Sequence, residues 1–325
     1  RDYPRLSWEG APGQGIPEPD IDWLEGQGTA EAPYRINTPD QLILLGKASI
    51  LWGRHLVLGA DIDLDPALPG RGIFGRAVIP VFTGTFDGGG RIISNLTIEG
   101  GSYLGLFGHL TSGAEVRNLG VIAVNITGTG NYVGGLVGDN SSRIATSYSS
   151  GSVSGTDCVG GLVGWNYGSI TTSYCNSLVS GRDRVGGLIG VNMNGWDSPI
   201  SNCYSASVVD GTSDVGGLVG HHGGFDVIHC YSTGTVNGDT ETVGGLIGFT
   251  GTFFMYNPVV TDCMWDIQTS GRATSDGGIG KTTAEMQKAS MFLDAGWDFV
   301  GETANGTEDI WWILEGKDYP RLWWE

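Results

Sequence analysis

The residues whose spacing could do chemistry sit at fixed distances from a repeated Val-Gly-Gly-Leu core. Ahead of each core stands an acidic or polar residue: Asn131, Asp157, Asp183, Asp214 or Glu241. Asp157 and Asp183 hold the same place in turns of equal length, so a chain that stacks turn on turn would set their carboxylates one turn apart. Like charges that close bind a cation or raise one pKa, and retaining glycosidases hold their carboxyl pair ~5 Å apart. One reading is therefore a polysaccharide hydrolase or lyase with Asp157 and Asp183 as the acid/base pair. Trp165 would then be a sugar platform, and Arg182 and Arg184 would neutralise a uronate carboxylate. The other reading is solvated aspartates that stabilise tight corners.

A second series follows each core: Asp139, Trp165, Val191, His221 and Phe249, and next to it Asn140, Asn166, Asn192, His222 and Thr250. If the core leucines point inward, alternation puts the first row outside and the second inside. Buried asparagines in one column can hydrogen-bond from turn to turn. Outside, Trp165, His221 and Phe249, with Asp139, Asp214 and Glu241 near them, would suit binding of a polysaccharide or cell-surface glycan, since flat aromatic faces stack on sugar rings. A loop packed over the row is the alternative.

Asp61, Asp63 and Asp65 alternate with Ile62 and Leu64, which places three carboxylates on one strand face. Calcium takes such oxygen ligands, but no EF-hand spacing is present and a solvated face explains the pattern as well. No other cofactor is indicated. Cys158, Cys175, Cys203, Cys230 and Cys263 match neither a zinc nor a redox spacing, and an odd count beside Ser in the same column favours free thiols. No HExxH, GxSxG or phosphate-loop signature occurs.

The elements that must position these residues follow from the repeat itself. Val133-Gly134-Gly135-Leu136-Val137-Gly138 returns from Val159, Val185, Val215 and Val243, with a weaker copy from Tyr103. The successive spacings are 30, 26, 26, 30 and 28 residues. A near-constant period of that size marks a solenoid, whose turns bury their apolar faces only by stacking. Short Val/Ile/Thr/Tyr/Ser runs broken by Gly fill the period, so each turn holds about three strands. The fold expected is all-β, a right-handed parallel β-helix of about seven coils, the hand following from the crossover rule.

Composition agrees with that fold. The 57 glycines exceed ordinary usage, yet 40% of the 325 residues are hydrophobic, so the chain is no disordered Gly-rich linker. A balance of 17 basic against 35 acidic residues argues against nucleic acid and against an anionic membrane surface. No apolar run reaches membrane-spanning length, so membrane insertion is not expected.

Taken in order, residues 1–33 read as a linker or the tail of a preceding module, 34–89 as an N-terminal cap with the first strands, 90–267 as the β-helix and 268–325 as a C-terminal cap. Thr38-Pro39-Asp40-Gln41 carries the signals of a helix start and predicts a short helix through Leu45 ending near Gly46, placed over the open end of the solenoid. Thr282-Thr283-Ala284-Glu285 predicts a second helix through Leu293, ended by Gly296. One bulky residue per coil aligns as Leu96, Leu119, Tyr148, Tyr174, Tyr204, Tyr231 and Met264, preceded by Asn95, Asn118, Ser147, Ser173, Cys203, Cys230 and Cys263. Ile144, Ile170 and Ile200 lie four residues before three of the tyrosines, a parity that favours tyrosines facing inward. The Ile228 coil breaks it, and the direction stays open.

Trp297, Trp311, Trp312, Trp323 and Trp324 crowd the tail, either as a cover for the C-terminal end or as an intermodule contact. Residues 1–9 match 317–325 at a spacing of 316, either as a piece of a tandem array that carries the tail of the module before it or because both ends make the same local turn in one domain.

The Gly-Leu-Val/Ile-Gly cores at 135–138, 161–164, 187–190, 217–220 and 245–248 resemble the GLUG motif family. Its repeats occur in large secreted or surface-attached bacterial proteins, including adhesin-like proteins and the non-catalytic part of some immunoglobulin A proteases. The resemblance implies an extracellular or cell-surface bacterial protein and brings no catalytic residues. The expectation is a non-catalytic scaffold, adhesive, carbohydrate-binding or self-assembling. Copies would join end to end through Trp311, Trp312, Trp323 and Trp324, with a polysaccharide-degrading enzyme on the same fold as the alternative.

Overall fold

The computed structural model describes residues 21–193, 195, 198–224, 226–251 and 258–325. One turn shows how the sequence is used. Val133–Gly134, Val137–Asn140, Arg143–Ala145 and Tyr148–Ser154 are strands, and Asp157–Gly160 begins the next turn. Each lies parallel to its counterpart one period on, pairing Val133 with Val159, Val137 with Val163, Ile144 with Ile170 and Tyr148 with Tyr174. The chain is thus a parallel β-helix of about seven turns. One of its faces is a seven-stranded sheet running from Ile79–Phe82 to Ile247–Thr250.

The repeated glycines are where turns meet too closely for a side chain. A Cβ on Gly161 would stand 2.3 Å from the Cys175 sulfur, and one on Gly164 would stand 2.5 Å from the Val133 backbone nitrogen. The leucine between them, like Leu136, Leu188, Leu218 and Leu246, is fully buried in the axial core. Burying such a side chain stabilises by roughly 1.5–3 kcal/mol, so stacked leucines hold the turns together.

At the N-terminal end the helix forms as its signals require. α1 (Pro39–Leu45) has Thr38 as N-cap in a complete capping box with Gln41, and Gly46 follows. Regular stacking starts earlier than the coil at Ile92, because Tyr34–Ile36 already pairs with His55–Leu58 and that strand with Thr85–Ser94. α1 fills the interval between these two rungs and buries Leu42 and Leu45 in the same core. The outer edge of Tyr34–Ile36 is bridged by Glu25, whose carbonyl accepts from the Arg35 N–H at 2.8 Å.

At the other end Met264–Asp266 starts α2 (Ile267–Ser270), with Asp266 accepting from the N–H groups of Gln268 and Thr269. The single helix expected from Thr282 is two. α3 (Thr283–Met286) has the capping box, but Lys288 turns extended, and α4 (Ala289–Leu293) follows before Gly296 at φ +83°. The break lets Met286 and Phe292 face one cluster.

The structure decides the direction of the ladders, which the sequence left open, and corrects their alignment. The tyrosines face outward, and the column inside is Leu119, Ser147, Ser173, Cys203, Cys230 and Cys263. Asn118, Thr146, Thr172, Asn202, His229 and Asp262 all take left-handed φ between +44° and +53°. That corner, between each Ile and the following Tyr, resets the alternation on which the parity rested. Register also puts Gly120 opposite Tyr148, so Leu119 belongs with Ser147, Asn118 belongs with Thr146, and Leu96 with Asn95 lies outside the tyrosine column.

The tail does not sit over the C-terminal end. It crosses the side of the solenoid, where Met286, Phe292, Trp297, Phe299, Trp311 and Leu322 pack on Tyr204, Tyr231 and Met264.

Candidate functional site

Four tyrosines from successive turns form one flat column. The rings of Tyr148, Tyr174, Tyr204 and Tyr231 stack 4.8–4.9 Å apart with interplanar angles of 4–11°. Since parallel strands repeat at about that distance, identical rings in register must stack. Trp297 and Trp311 cover the last turns, with the Trp297 indole N–H donating to the Asp262 carbonyl at 2.9 Å.

The final residues then run along the column as a strap. The Tyr319 hydroxyl donates to Asp266 Oδ2 at 2.7 Å, the Tyr231 hydroxyl to the Pro320 carbonyl, and the Tyr204 hydroxyl to Glu325 Oε2 at 2.8 Å. Trp324 lies over Tyr148 and Tyr174 with ring centroids 5.8 and 5.6 Å away.

Beside the strap's end the ladder stops being covered, because the next two positions in the column are Gly120 and Ile92. This leaves a groove of about 510 Å³. Its floor is Gly90, Gly120, Tyr148 and Tyr174, and its wall is Trp323, Trp324, Arg321 and Glu325. Trp323 is 60% exposed. Arg321 donates two bonds to Asp318 Oδ2, at 3.0 and 2.7 Å, which raise its pKa further. Burial raises the Glu325 carboxyl, only partly offset by the Leu322 N–H and the Tyr204 hydroxyl. Aromatic faces beside charged and polar groups are the chemistry that holds a hydroxylated ring.

The row singled out on the seven-stranded sheet is in register as expected, with Asp139, Trp165, Val191, His221 and Phe249 successive partners, and the structure adds His109 ahead of Asp139. It is dressed by the corner residues just before Leu104, Val133 and Val215, which take left-handed φ at Tyr103, Tyr132 and Asp214 and turn back over the sheet. Tyr103 packs on His109 at 4.3 Å, Tyr132 meets Trp165 edge to face at 5.4 Å, and Asp214 Oδ2 lies 2.8 Å from His221 Nδ1. Val191 is fully buried. Asp139 pairs with His109 at 3.2 Å, and burial raises its carboxyl more than His109 lowers it. Phe249 lines a hollow of about 350 Å³ together with Glu241 and Asp276.

The inner asparagines form the expected chain. Asn140 Nδ2 donates to Asn166 Oδ1 at 2.7 Å and Asn166 Nδ2 to Asn192 Oδ1 at 2.8 Å, all three fully buried. Asp157 and Asp183 are register partners, one turn apart. Each carboxylate is already engaged: Arg182 makes two bonds to Asp157, at 3.0 and 2.7 Å, while Arg184 and Ser213 approach Asp183 at 3.2 and 2.7 Å. Asp214 belongs one column over, since Ser213 is the partner of Asp183.

Asp61, Asp63 and Asp65 flank buried Ile62 and Leu64 as the alternation requires. Their oxygens accept from the Ile92, Asp65 and Ala67 N–H groups and from Asn95, which lowers the Asp63 pKa. Among the described residues no three or more His, Cys, Asp or Glu side chains are grouped to hold a metal ion. The five cysteines are buried free thiols, and burial pushes Cys158 and Cys175 up to about 11.

Of the tail tryptophans expected to meet another module, Trp311 is fully buried and not available, whereas Trp312 and Trp323 are exposed. Arg321, Glu325 and the ladder itself were missed as site residues. Their one sequence signal was a column of four identical aromatic residues beside a duplicated Tyr-Pro-Arg-Leu segment.

Comparison with known proteins agrees with the architecture. The GLUG motif matches residues 211–237. Halomucin of Haloquadratum walsbyi is 34% identical over 141 residues, 41% of this chain and 2% of halomucin. A "Putative Gly-rich membrane protein" of Evansella cellulosilytica is 37% identical over 96 residues, 29% of this chain and 10% of its own length. The crystal structure of a "putative immunoglobulin A1 protease" from Bacteroides ovatus matches with a TM-score of 0.64 over 92% of this chain and 95% of that one, at 21% identity. Likeness at that identity is one of fold. The GLUG motif is thus matched at residues 211–237, and Gly-Leu cores like the one it contains recur in turn after turn of a parallel β-helix.

Proposed function

We propose that this chain is a non-catalytic module of a secreted or surface-attached repeat protein, and that the groove beside the strap binds carbohydrate. The observation that carries the reading is the groove's composition: exposed Trp323 and the edge of the tyrosine column supply faces for a sugar ring, and Arg321 and Glu325 supply a donor and an acceptor for its hydroxyls. The relatives support the location, one being named a mucin and the other a membrane protein. Both are far longer than the span matched here, as expected of one module among many.

A glycan array followed by calorimetry on the selected sugars tests this. Trp323→Ala should abolish binding and leave the melting temperature unchanged, because that side chain is solvent-facing. An array with no hit, or an undiminished affinity in Trp323→Ala, would remove the groove from consideration. The hydrolase alternative is weakened by the arginines that occupy Asp157 and Asp183. Release of reducing sugar that is lost in Asp157→Asn would restore it.

A further inference from the structure

The strap that closes the tyrosine ladder has a near copy in the sequence. Lys317-Asp318-Tyr319-Pro320-Arg321-Leu322-Trp323-Trp324-Glu325 and Arg1-Asp2-Tyr3-Pro4-Arg5-Leu6-Ser7-Trp8-Glu9 share seven of nine residues. The structure gives those shared positions a meaning. Tyr319 reaches Asp266, the Pro320 carbonyl takes the Tyr231 hydroxyl, Leu322 is fully buried, Trp324 lies over Tyr148 and Tyr174, and Glu325 takes the Tyr204 hydroxyl. Asp318 and Arg321 fix the strap's own shape through their paired bonds. Each of these residues has an identical counterpart in the first nine.

The two differences fall where the ladder is not touched. Lys317, Arg1 in the copy, is exposed and keeps its charge, and Trp323, Ser7 in the copy, points to solvent. A duplicate that keeps every docking residue and varies only at outward positions retains the means to dock.

We propose that Arg1–Glu9, which lies outside the described residues, is a second strap that docks on the tyrosine ladder of another copy of this fold. The ladder of one copy would then be closed by residues of the next, joining copies side to end, through the column of rings rather than through exposed tail tryptophans. Ser7 adds a consequence: a ladder closed by this strap lacks the outer of the two indoles in the groove wall, the one Trp323 supplies, so a joined copy and a self-strapped copy differ in that wall.

The test frees the ladder in the full chain. Leu322→Ala/Trp324→Ala loosens the resident strap, and a fluorescent nine-residue peptide with the sequence of residues 1–9 is titrated onto it. The peptide should bind at least tenfold more tightly than to the wild type, and at least tenfold more tightly than a peptide carrying Tyr3→Ala and Trp8→Ala. By light scattering the loosened chain should self-associate as concentration rises, and adding Tyr3→Ala/Trp8→Ala to it should return it to monomer. If Leu322→Ala/Trp324→Ala loses its β-sheet circular dichroism, Glu325→Ala, which removes the bonds to the Tyr204 hydroxyl and the Leu322 N–H and leaves the apolar contacts in place, replaces it in both measurements. Equal binding of the two peptides, or a loosened chain that stays monomeric at all concentrations, overturns the proposal.

Discussion

Two outer faces of this β-helix are built by the same register rule and end up finished in opposite ways. On one, tyrosine recurs in four successive turns, and the continuous ring surface is covered by a segment from the far end of the chain. On the other, no two successive members of the row His109, Asp139, Trp165, Val191, His221 and Phe249 are alike, and dressing is done one residue at a time by neighbouring corners. A uniform column makes a flat apolar strip that a remote segment can follow across several turns. A mixed column offers no such strip.

The widest separation between the faces should come from Trp311→Ala. Its indole is fully buried between tail and ladder, and loss of such a side chain costs about 3–5 kcal/mol. Limited proteolysis should then cut between residues 283 and 325 while β-sheet dichroism persists, whereas Trp165→Ala on the other face should release nothing. Equal protease sensitivity in the two variants would mean that the strap is not a unit.

Behind the mixed row runs the buried asparagine chain. Asn166→Ala leaves Asn140 Nδ2 and Asn192 Oδ1 without that partner, at about 1–3 kcal/mol, seen as a lower midpoint in urea. Next in size is the corner that turns the tyrosines outward. Thr172 holds φ +44° with a branched side chain, a conformation Asn tolerates better, so Thr172→Asn should stabilise by about 0.5–1 kcal/mol in the same measurement. A destabilised Thr172→Asn would show that its contact with Thr146 matters more than the backbone.

The smallest effect expected is on pH. Burial raises the folded-state pKa of Glu325 on the strapped face and of Asp139 on the other. For an acid shifted upward, the contribution to stability is full below the unfolded pKa and fades as pH rises through the folded one. Acid should therefore tighten the strap, and Glu325→Gln should flatten the pH dependence of tail release, followed by tryptophan fluorescence. Asp139→Asn should leave that dependence intact. Asp63 and Glu285, held low by hydrogen bonds from Asn95 and from Thr282, act in the opposite sense over the rest of the molecule.

What could be read from sequence was whatever depends on spacing alone. The Val-Gly-Gly-Leu period implied the stack, the Thr38–Gln41 pattern implied α1, and the equal offsets of Asn140, Asn166 and Asn192 implied their chain. What could not be read depends on local handedness or on distant contact. The left-handed corners at Thr146 and Thr172 carry no glycine to announce them, so the tyrosine direction was hidden. Asp214 looked like the counterpart of Asp183 by chemistry, while register chose Ser213. The strap joins Glu325 to Tyr204 across 121 residues, and no periodicity spans such a gap.

The strap also changes how the stack comes apart. In a solenoid each turn touches only its neighbours, so loss of structure can begin at any one of them and spread. Here a single segment grips Tyr148, Tyr174, Tyr204, Tyr231 and Asp266 in a row, as a spine holds pages. A pull along the axis at any of those turns is resisted by all of them, and they must fail together.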